Sequence, residues 1–458
     1  MKHRGRHRRR RRGRVVRAVL SGTALALTAT ATLISASQAT VADNPGALRA
    51  LASPAELARL ELTEQSVPRK SLDRLAAAMG RPVGVDAVLS GTDRTMRDEG
   101  GCTGEEKEAL PVEPAATRAY CWDTADAATR RWQPESVTTS GDSAADGRWG
   151  AHRVILSGWT DAGSGAEHGL ARVAFINADN PARPTYTWAL LVVPVDGGRD
   201  YRGLVSHVSG MVWYRDKLMV TASGGERDAL YVYDLNRIQR ATAGGDAIGR
   251  VPGGWSAHGY RWVLPAVASY RPAGGGCDRV DGPAGAAGTA PSGPAGSGPP
   301  CPTGLSLDRG TAPDSLVASE PAPRGSGRHT RLWRYYFSAD PARSGLLAAD
   351  SAGTVLAGEA YETKVDGVQG VLSRRRGPAG ATDWYLARAA GKQSVHGTLW
   401  RQNLSGAHAA RCGSGDTHRC WGDGSGSLSY SAGTGEVWSL SGRALFALPL
   451  SSVDRALR

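Results

Sequence analysis

Short β-rich runs separated by tight turns fill most of the chain after residue 119. Three series stand out, at residues 153–194, 211–235 and 427–450, and each contains three apolar or β-branched runs. In the second and third series the runs are joined by short connections typical of β-hairpins. A single antiparallel sheet of this size cannot bury both of its faces, so the series must pack against one another.

The second and third series also resemble each other in sequence. Residues 209–214 align with residues 426–430, residues 229–238 align with residues 444–453, and a weaker copy spans residues 368–400. Meanders that recur at intervals of tens of residues are typical of β-propellers. We therefore predict an all-β fold for residues 119–458, a β-propeller of about five or six antiparallel blades. Residues 119–140 are expected to add a strand to the C-terminal meander and so close the ring.

Two segments depart from this pattern. Residues 273–329 are rich in Gly, Pro and Ala, a composition that cannot offset its ordering entropy, so we predict a disordered insertion within the propeller. Residues 43–118 are predicted to form a short helical and irregular N-terminal extension, loosely docked on the ring. Its helix signals are Asn44-Pro45, the capping-box sequence Ser53-Pro54-Ala55-Glu56, and a helical spacing of apolar residues from Ser71 that stops at Gly80.

The N-terminus has the layout of a secretory signal peptide. The first seventeen residues contain ten Lys or Arg and no acid, an apolar-leaning stretch follows to Ala36, and small residues lead to Ala42. A nucleic-acid patch would not be followed by such a stretch, and an uncleaved anchor is disfavoured by the Thr and Gly that dilute its leucines. We predict cleavage near Ala42, secretion, and no stable membrane anchor afterwards.

This segment also accounts for the net charge of +12, which arises from 55 basic and 43 acidic side chains. Removing residues 1–42 takes away ten bases and no acids, which leaves a net charge of +2. A nearly neutral protein has no electrostatic reason to bind nucleic acid. We therefore expect no nucleic-acid partner, and we expect a monomer.

Six cysteines remain after the signal segment, an even number that favours disulfides in an exported protein. Fifteen pairings are possible in principle. The spacing suggests three local pairs, namely Cys102–Cys121, Cys277–Cys301 and Cys412–Cys420. The competing interpretation is a metal site formed by the last pair with His408 and His418, but the separation of those cysteines is poor zinc spacing. We predict no metal and no cofactor.

The chain lacks the familiar catalytic motifs, including GxSxG, the P-loop, HExxH and the EF-hand series. We therefore predict no catalytic residues. Residues near predicted strand starts are instead candidate ligand-binding groups, because blades present such positions near the central channel. The candidates are His207, Trp213, Asp366, Trp421 and Asp423. The alternative is that His207 and Asp423 bond loop backbone while the tryptophans pack between blades.

Several stretches resemble a family of secreted actinobacterial proteins. The resemblance rests on residues 132–140 and 149–150, on residues 206–213, and on the closing residues 435–438 and 443–450. It implies a propeller-like fold and export, and it implies no activity.

From these observations we predict a secreted, non-enzymatic β-propeller that acts as an extracellular binding or scaffold protein. Its ligand is expected to be envelope or extracellular carbohydrate or protein. The alternative is a carbohydrate-active hydrolase or lyase on the same fold.

Overall fold

The computed structural model describes residues 44–164, 168–224, 226–277, 300–375, 380–390, 396–413, 417–424 and 426–457. The predicted signal segment, residues 1–42, lies outside the described residues, as does the middle of the predicted insertion, residues 278–299. In the part of the chain that is described, no helix is long and apolar enough to cross a bilayer.

Short helices and strands alternate through the N-terminal extension. The helices are α1 (Pro54–Ala58), α2 (Arg69–Met79), α3 (Val85–Leu89) and α4 (Gly104–Glu108), with a 3-10 turn at Glu99–Gly101. The strands are β1 (Arg49–Ala50), β2 (Leu62–Ser66), β3 (Arg94–Thr95), β4 (Arg97–Asp98) and β5 (Arg118–Cys121).

Two of the helix signals in this extension are confirmed. The capping box at Ser53 is formed, and Gly80 directly follows the last residue of α2. The predicted helix start at Asn44 is wrong, because the chain there is not helical and leads into the extended strand β1.

The first two blades form one continuous sheet. Blade 1 consists of β6 (Trp132–Thr139), β7 (Val154–Asp161), β8 (Ala171–Asn177) and β9 (Thr185–Val195). A short helix, α5 (Thr124–Ala128), precedes it, and a second, α6 (Ser140–Ser143), follows its first strand. Strand β10 (Asp200–Gly203) pairs with β9. Blade 2 consists of β11 (Met211–Tyr214), β12 (Lys217–Thr221), β13 (Leu230–Asp234) and β17 (Trp262–Pro272). Between β13 and β17 lie β14 (Gln239–Arg240), which pairs with β17, and a separate hairpin of β15 (Ile248–Val251) and β16 (Gly254–Ala257). The first residues of β17 run parallel to β9, and its later residues pair with β13, which joins the two blades.

Three further blades follow along the chain. Blade 3 contains β18 (Gly304–Asp308), β19 (Ser315–Glu320), β20 (Thr330–Tyr336) and β22 (Ala357–Thr363). A 3-10 turn at Pro341–Arg343 and the short strand β21 (Thr354–Val355), which pairs with β2, lie between β20 and β22. Blade 4 contains β23 (Val368–Arg375), β24 (Thr382–Arg388), β25 (Thr398–Asn403) and β26 (Gly406–Ala409). Blade 5 contains β27 (Ser429–Ser431), β28 (Glu436–Ser441) and β29 (Ala444–Pro449), and the helix α7 (Leu450–Ala456) follows it.

The ring is closed by a strand from the other end of the sequence. Strand β5 pairs antiparallel with β29, with Cys121 opposite Ala444 and Arg118 opposite Ala447, so that it becomes an outer strand of blade 5. This pairing is the predicted closure. The prediction of an all-β propeller is confirmed, and the described residues form five blades.

The innermost strands of the blades meet closely where they begin. A Cβ atom built on Gly210, Gly370 or Gly426 would lie 2.5–2.7 Å from backbone atoms of the next blade, at Leu305, Gly426 and Glu135 respectively. Blade 1 is linked to blade 2 at the same level, because the Ser136 hydroxyl donates to the Val208 carbonyl at 2.5 Å. The starts of the innermost strands therefore lie together at one end of the ring, which we call the top face. At Gly210, Gly370 and Gly426 the neighbouring blade leaves room for glycine alone.

Two predicted segments differ from the structure. The predicted disordered insertion, residues 273–329, contains β18 and β19, whose residues are almost all buried, so its C-terminal part belongs to blade 3. The extension is not loosely docked: β1 pairs with β22, β2 with β17 and β21, β3 with β9, and β4 with β5. Short edge strands that add to existing sheets supply hydrogen bonds without requiring a hydrophobic repeat of their own.

Candidate functional site

A carboxylate and an imidazole face each other on the top face. Glu135 Oε1 lies 2.6 Å from His207 Nδ1, and Glu135 Oε2 accepts hydrogen bonds from the Thr160 hydroxyl and the Val208 backbone N–H, both at 2.8 Å. The Glu135 side chain is 17% exposed and that of His207 is 47% exposed. No described residue is hydrogen-bonded to His207 Nε2. The pair therefore has one partly buried, fully engaged end at Glu135 and one accessible nitrogen at His207.

The position of Glu135 depends on an irregularity in β6. Pro134 is opposite Trp159 and Ser136 is opposite Gly158 in the neighbouring strand, so Glu135 is the extra residue of a β-bulge. A bulge turns a side chain out of the regular alternation, and proline within a sheet is largely confined to edges and bulges. The bulge directs the Glu135 carboxylate towards the segment that leads into β11.

His207 is fixed by backbone as well as by Glu135. Its N–H donates to the Ser223 carbonyl at 3.0 Å, which joins it to the connection between β12 and β13. The hydrogen bond to Glu135 and the negative charge of that residue raise the pKa of His207, although burial acts in the opposite direction. An imidazole that donates Nδ1–H to a carboxylate leaves Nε2 as a proton acceptor, which is the arrangement of a general base.

Two other predicted site residues lie on the same face in different blades. Asp366 precedes β23, where its carboxylate is held by Arg388 at 2.7 Å and by the Gly325 N–H at 2.9 Å. Although burial would raise the pKa of Asp366, these hydrogen bonds and the Arg388 charge lower it. Asp423 precedes β27, and its backbone bonds to Ala109 and Gly442. Among the described residues, neither aspartate contacts His207.

The predicted tryptophans are packing residues. Trp213 is fully buried in β11, its ring centroid is 5.1 Å from that of Trp149, and its indole N–H donates to the Arg215 carbonyl. Trp421 is 1% exposed and packs edge-to-face on Phe446. Neither indole faces solvent, so the structure supports packing rather than ligand contact for both.

Another carboxylate lies inside the ring. Asp142 in α6 is 1% exposed, and its Oδ2 accepts the hydroxyl hydrogen bonds of Thr138 at 2.6 Å and Ser429 at 2.8 Å. Thr138 in turn accepts the Trp213 backbone N–H, so this cluster links the innermost strands of blades 5, 1 and 2. Burial raises the pKa of Asp142 to about 6. Its Oδ1 has no hydrogen-bond partner among the described residues.

The disulfide framework leaves no cysteine for chemistry. The three predicted pairs, Cys102–Cys121, Cys277–Cys301 and Cys412–Cys420, are all formed, and no free cysteine remains. The alternative of a metal site at the last pair is therefore wrong, because both sulfur atoms are bonded to each other. Within the described ranges, one group has the spacing of metal ligands, Cys102 with Glu106 and Cys121, and it contains a disulfide.

The sequence patterns identified His207 but not Glu135 or Thr160 as site residues. The available signal was Pro134-Glu135 inside an otherwise regular strand pattern, since a proline and a charge together suggest a bulge. No sequence signal connects this strand with residue 207.

No protein-family model matches the chain, and no curated protein matches it. A solved gluconolactonase from Xanthomonas campestris is similar over 81% of this chain and 98% of that chain, with 13% identity and a TM-score of 0.26. That neighbour is named as an enzyme, which is in line with the alternative prediction and not with the prediction of a non-enzymatic binding or scaffold protein. A similarity this weak assigns no residue, substrate or reaction to this chain, and the resemblance to secreted actinobacterial proteins stays a prediction.

Proposed function

We propose that the protein is an exported, carbohydrate-active hydrolase in which Glu135 and His207 activate water on the top face. The observation that carries this proposal is the 2.6 Å contact between Glu135 Oε1 and His207 Nδ1, with Nε2 left accessible. Export through the N-terminal segment is part of the proposal. It is supported by the three disulfides, which persist in oxidising compartments.

The chemistry of this pair favours attack on a carbonyl carbon. His207 Nε2 accepts a proton from water, the resulting hydroxide adds to the carbonyl of an ester or lactone, and the tetrahedral intermediate expels an alkoxide. The proton then passes from His207 to that alkoxide, while the Glu135 carboxylate stabilises the imidazolium formed in between. Glycosidic cleavage instead requires two carboxyl groups at a set separation across the bond. Among the described residues of this site the Glu135 carboxylate serves the imidazole, so we propose ester or lactone hydrolysis of a carbohydrate-derived substrate.

The proposal is tested by hydrolysis of acetylated xylo-oligosaccharides and sugar lactones with the oxidised protein. We expect His207→Gln to lower kcat at least about a hundredfold, the scale of general-base catalysis. The rate of the unaltered protein should rise with pH through a pKa above 6.5, because only neutral His207 accepts a proton. Glu135→Gln should lower the rate and shift this pH profile, as expected of a positioning residue.

His329→Gln is the matched control. His329 also lies beside a glutamate, Glu362, at 3.3 Å and is 43% exposed, but it precedes an outer strand of blade 3. Its removal should leave the rate unchanged. Failure to hydrolyse any ester or lactone in the panel, or equal losses in the two histidine variants, would contradict the proposal. Release of an unsaturated uronate would indicate a lyase instead.

A further inference from the structure

A cavity of about 530 Å³ lies between blades 1 and 2, away from the innermost strands. Its walls come from β2, from the end of β9, from the connection between β12 and β13, and from β17. This volume is in the range of cavities that enclose small molecules. Nothing in the proposed hydrolysis uses it, so the inference below goes beyond the proposed function.

The cavity contains two buried carboxylates whose oxygens are all engaged. Glu226 forms a two-point ion pair with Arg202, at 2.5 and 2.9 Å, and also accepts the Tyr231 hydroxyl hydrogen bond at 2.9 Å. Asp228 accepts Arg271 Nε at 2.7 Å and the Ser269 hydroxyl at 2.6 Å. Glu226 and Asp228 are only 7% and 6% exposed. Both carboxylates therefore act as anchors for arginines, and their acceptor capacity is largely used.

The donors of the arginines are not used to the same extent. Arg271 reaches Asp228 through Nε alone, so neither of its terminal nitrogens has a hydrogen-bond partner among the described residues, and its side chain is 34% exposed. Arg227 also lines the cavity, and its guanidinium has no partner in the described part of the chain. A planar guanidinium with free terminal N–H groups matches the two oxygens of a carboxylate.

The remaining wall indicates the size and character of the ligand. Val67, Val193 and Ala268 supply apolar surface, while exposed Asp196 and the nearby turn offer acceptors for hydroxyl groups. A compact molecule with one carboxylate and several hydroxyls fits this combination of donors, acceptors and apolar contact.

We propose that this cavity binds a small hydroxylated carboxylate of the sugar-acid type, with the carboxylate held by the terminal nitrogens of Arg271. The site is separate from Glu135 and His207. Binding there does not require the hydrolysis proposed above.

The test is calorimetric titration of the oxidised protein at low salt with D-glucuronate and, in parallel, with D-glucose, which has the same ring without the carboxylate. We expect glucuronate to bind at least about tenfold more tightly than glucose, the scale of a charge-assisted hydrogen bond. Arg271→Gln should raise the Kd for glucuronate at least about tenfold.

Arg343→Gln is the matched control for loss of a partly exposed arginine. Arg343 is 31% exposed and pairs with buried Glu64 at 2.5 Å, yet it does not line the cavity. Both variants leave a buried carboxylate without its arginine, so a comparable loss of stability is expected from each, and only Arg271→Gln should weaken binding. His207→Gln should leave glucuronate binding unchanged, which separates this site from the hydrolytic one.

Three results would overturn the proposal. Glucuronate and glucose titrating alike would show that the carboxylate is not recognised. Equal increases in the Kd for glucuronate in Arg271→Gln and Arg343→Gln would show a general effect of protein charge. Absence of glucuronate binding while inorganic phosphate binds would show that the cavity takes a different anion.

Discussion

Replacing Asp142 by Asn should change how the stability of the ring depends on pH. The Asp142 carboxylate is 1% exposed, and its burial raises the pKa from 3.8 to about 6. Because the folded state binds this proton more tightly than the unfolded state, the stabilising contribution is complete below pH 3.8 and is lost as the pH rises through about 6. Asparagine carries no charge over this range and keeps an oxygen that can accept from Thr138 and Ser429.

The expected magnitude follows from the shift. A difference of about two units between the pKa of Asp142 in the folded and unfolded states changes the free energy of unfolding by about 3 kcal/mol over the whole pH range. About 2 kcal/mol of this change falls between pH 4 and pH 7. Urea unfolding followed by tryptophan fluorescence, with disulfides oxidised, gives the free energy of unfolding of both proteins at these two pH values. The unaltered protein should lose about 2 kcal/mol more than Asp142→Asn on going from pH 4 to pH 7.

The quantity compared is the change in the free energy of unfolding from pH 4 to pH 7 in the unaltered protein minus the same change in Asp142→Asn. In this double difference the contributions of all groups that titrate alike in both proteins cancel. An unchanged dependence of the free energy on urea concentration would confirm that the two unfold over the same surface. A double difference near zero, or of opposite sign, would refute the reasoning, because it would mean that Asp142 is solvated or paired with a positive charge.

Two further stability predictions follow. Gly426→Ala places a Cβ 2.5 Å from the Glu135 carbonyl, so it should lower the free energy of unfolding by about 1–3 kcal/mol, whereas Gly406→Ala, with open space around it, should change little in the same urea assay. Asp308→Asn removes the 2.9 Å ion pair of Arg334, where both side chains are at most 3% exposed, while Glu359 stays 3.2 Å from Arg334 Nε, so a loss of about 1.5–3 kcal/mol is expected. Asp366→Asn removes the more exposed partner of Arg388, so it should lower the thermal unfolding temperature less than Asp308→Asn does. Equal decreases in the two variants would show that burial is not the cause.

The blades were predictable because they consist of short apolar runs joined by short connections. The run from residue 153 to residue 159 and the runs at 218–223 and 444–450 are short, largely apolar stretches, the pattern of a strand that is buried on both faces. The short spacing of the cysteines likewise suggested the correct pairs. Both signals are local in the sequence.

The remaining features depend on contacts between distant residues. Strands of two residues such as β1 and β3 have no periodicity to detect, and they form only because a sheet edge is present to pair with. The strands at 304–320 were hidden because the surrounding Gly and Pro dominate the composition.

The functional groups were hidden for a similar reason. Glu135 and His207 are 72 residues apart, and their contact requires a bulge that only the neighbouring strand defines. The arginines of the cavity come from two strands and one connection that are distant in sequence, and isolated charges at such positions are usually solvated.

Closure of blade 5 by β5 has a consequence for how the chain folds. The Thr117 N–H and hydroxyl both bond to the Ala447 carbonyl across 330 residues of sequence. Bringing such distant segments together costs about 5 kcal/mol of chain entropy in the simplest loop model, and that cost precedes any contact that offsets it. Topologies dominated by such non-local contacts fold slowly. Strand β5 therefore stays without its partner β29 until the last blade has been synthesised. Any chain that stops before residue 444 has an open ring with two unpaired sheet edges.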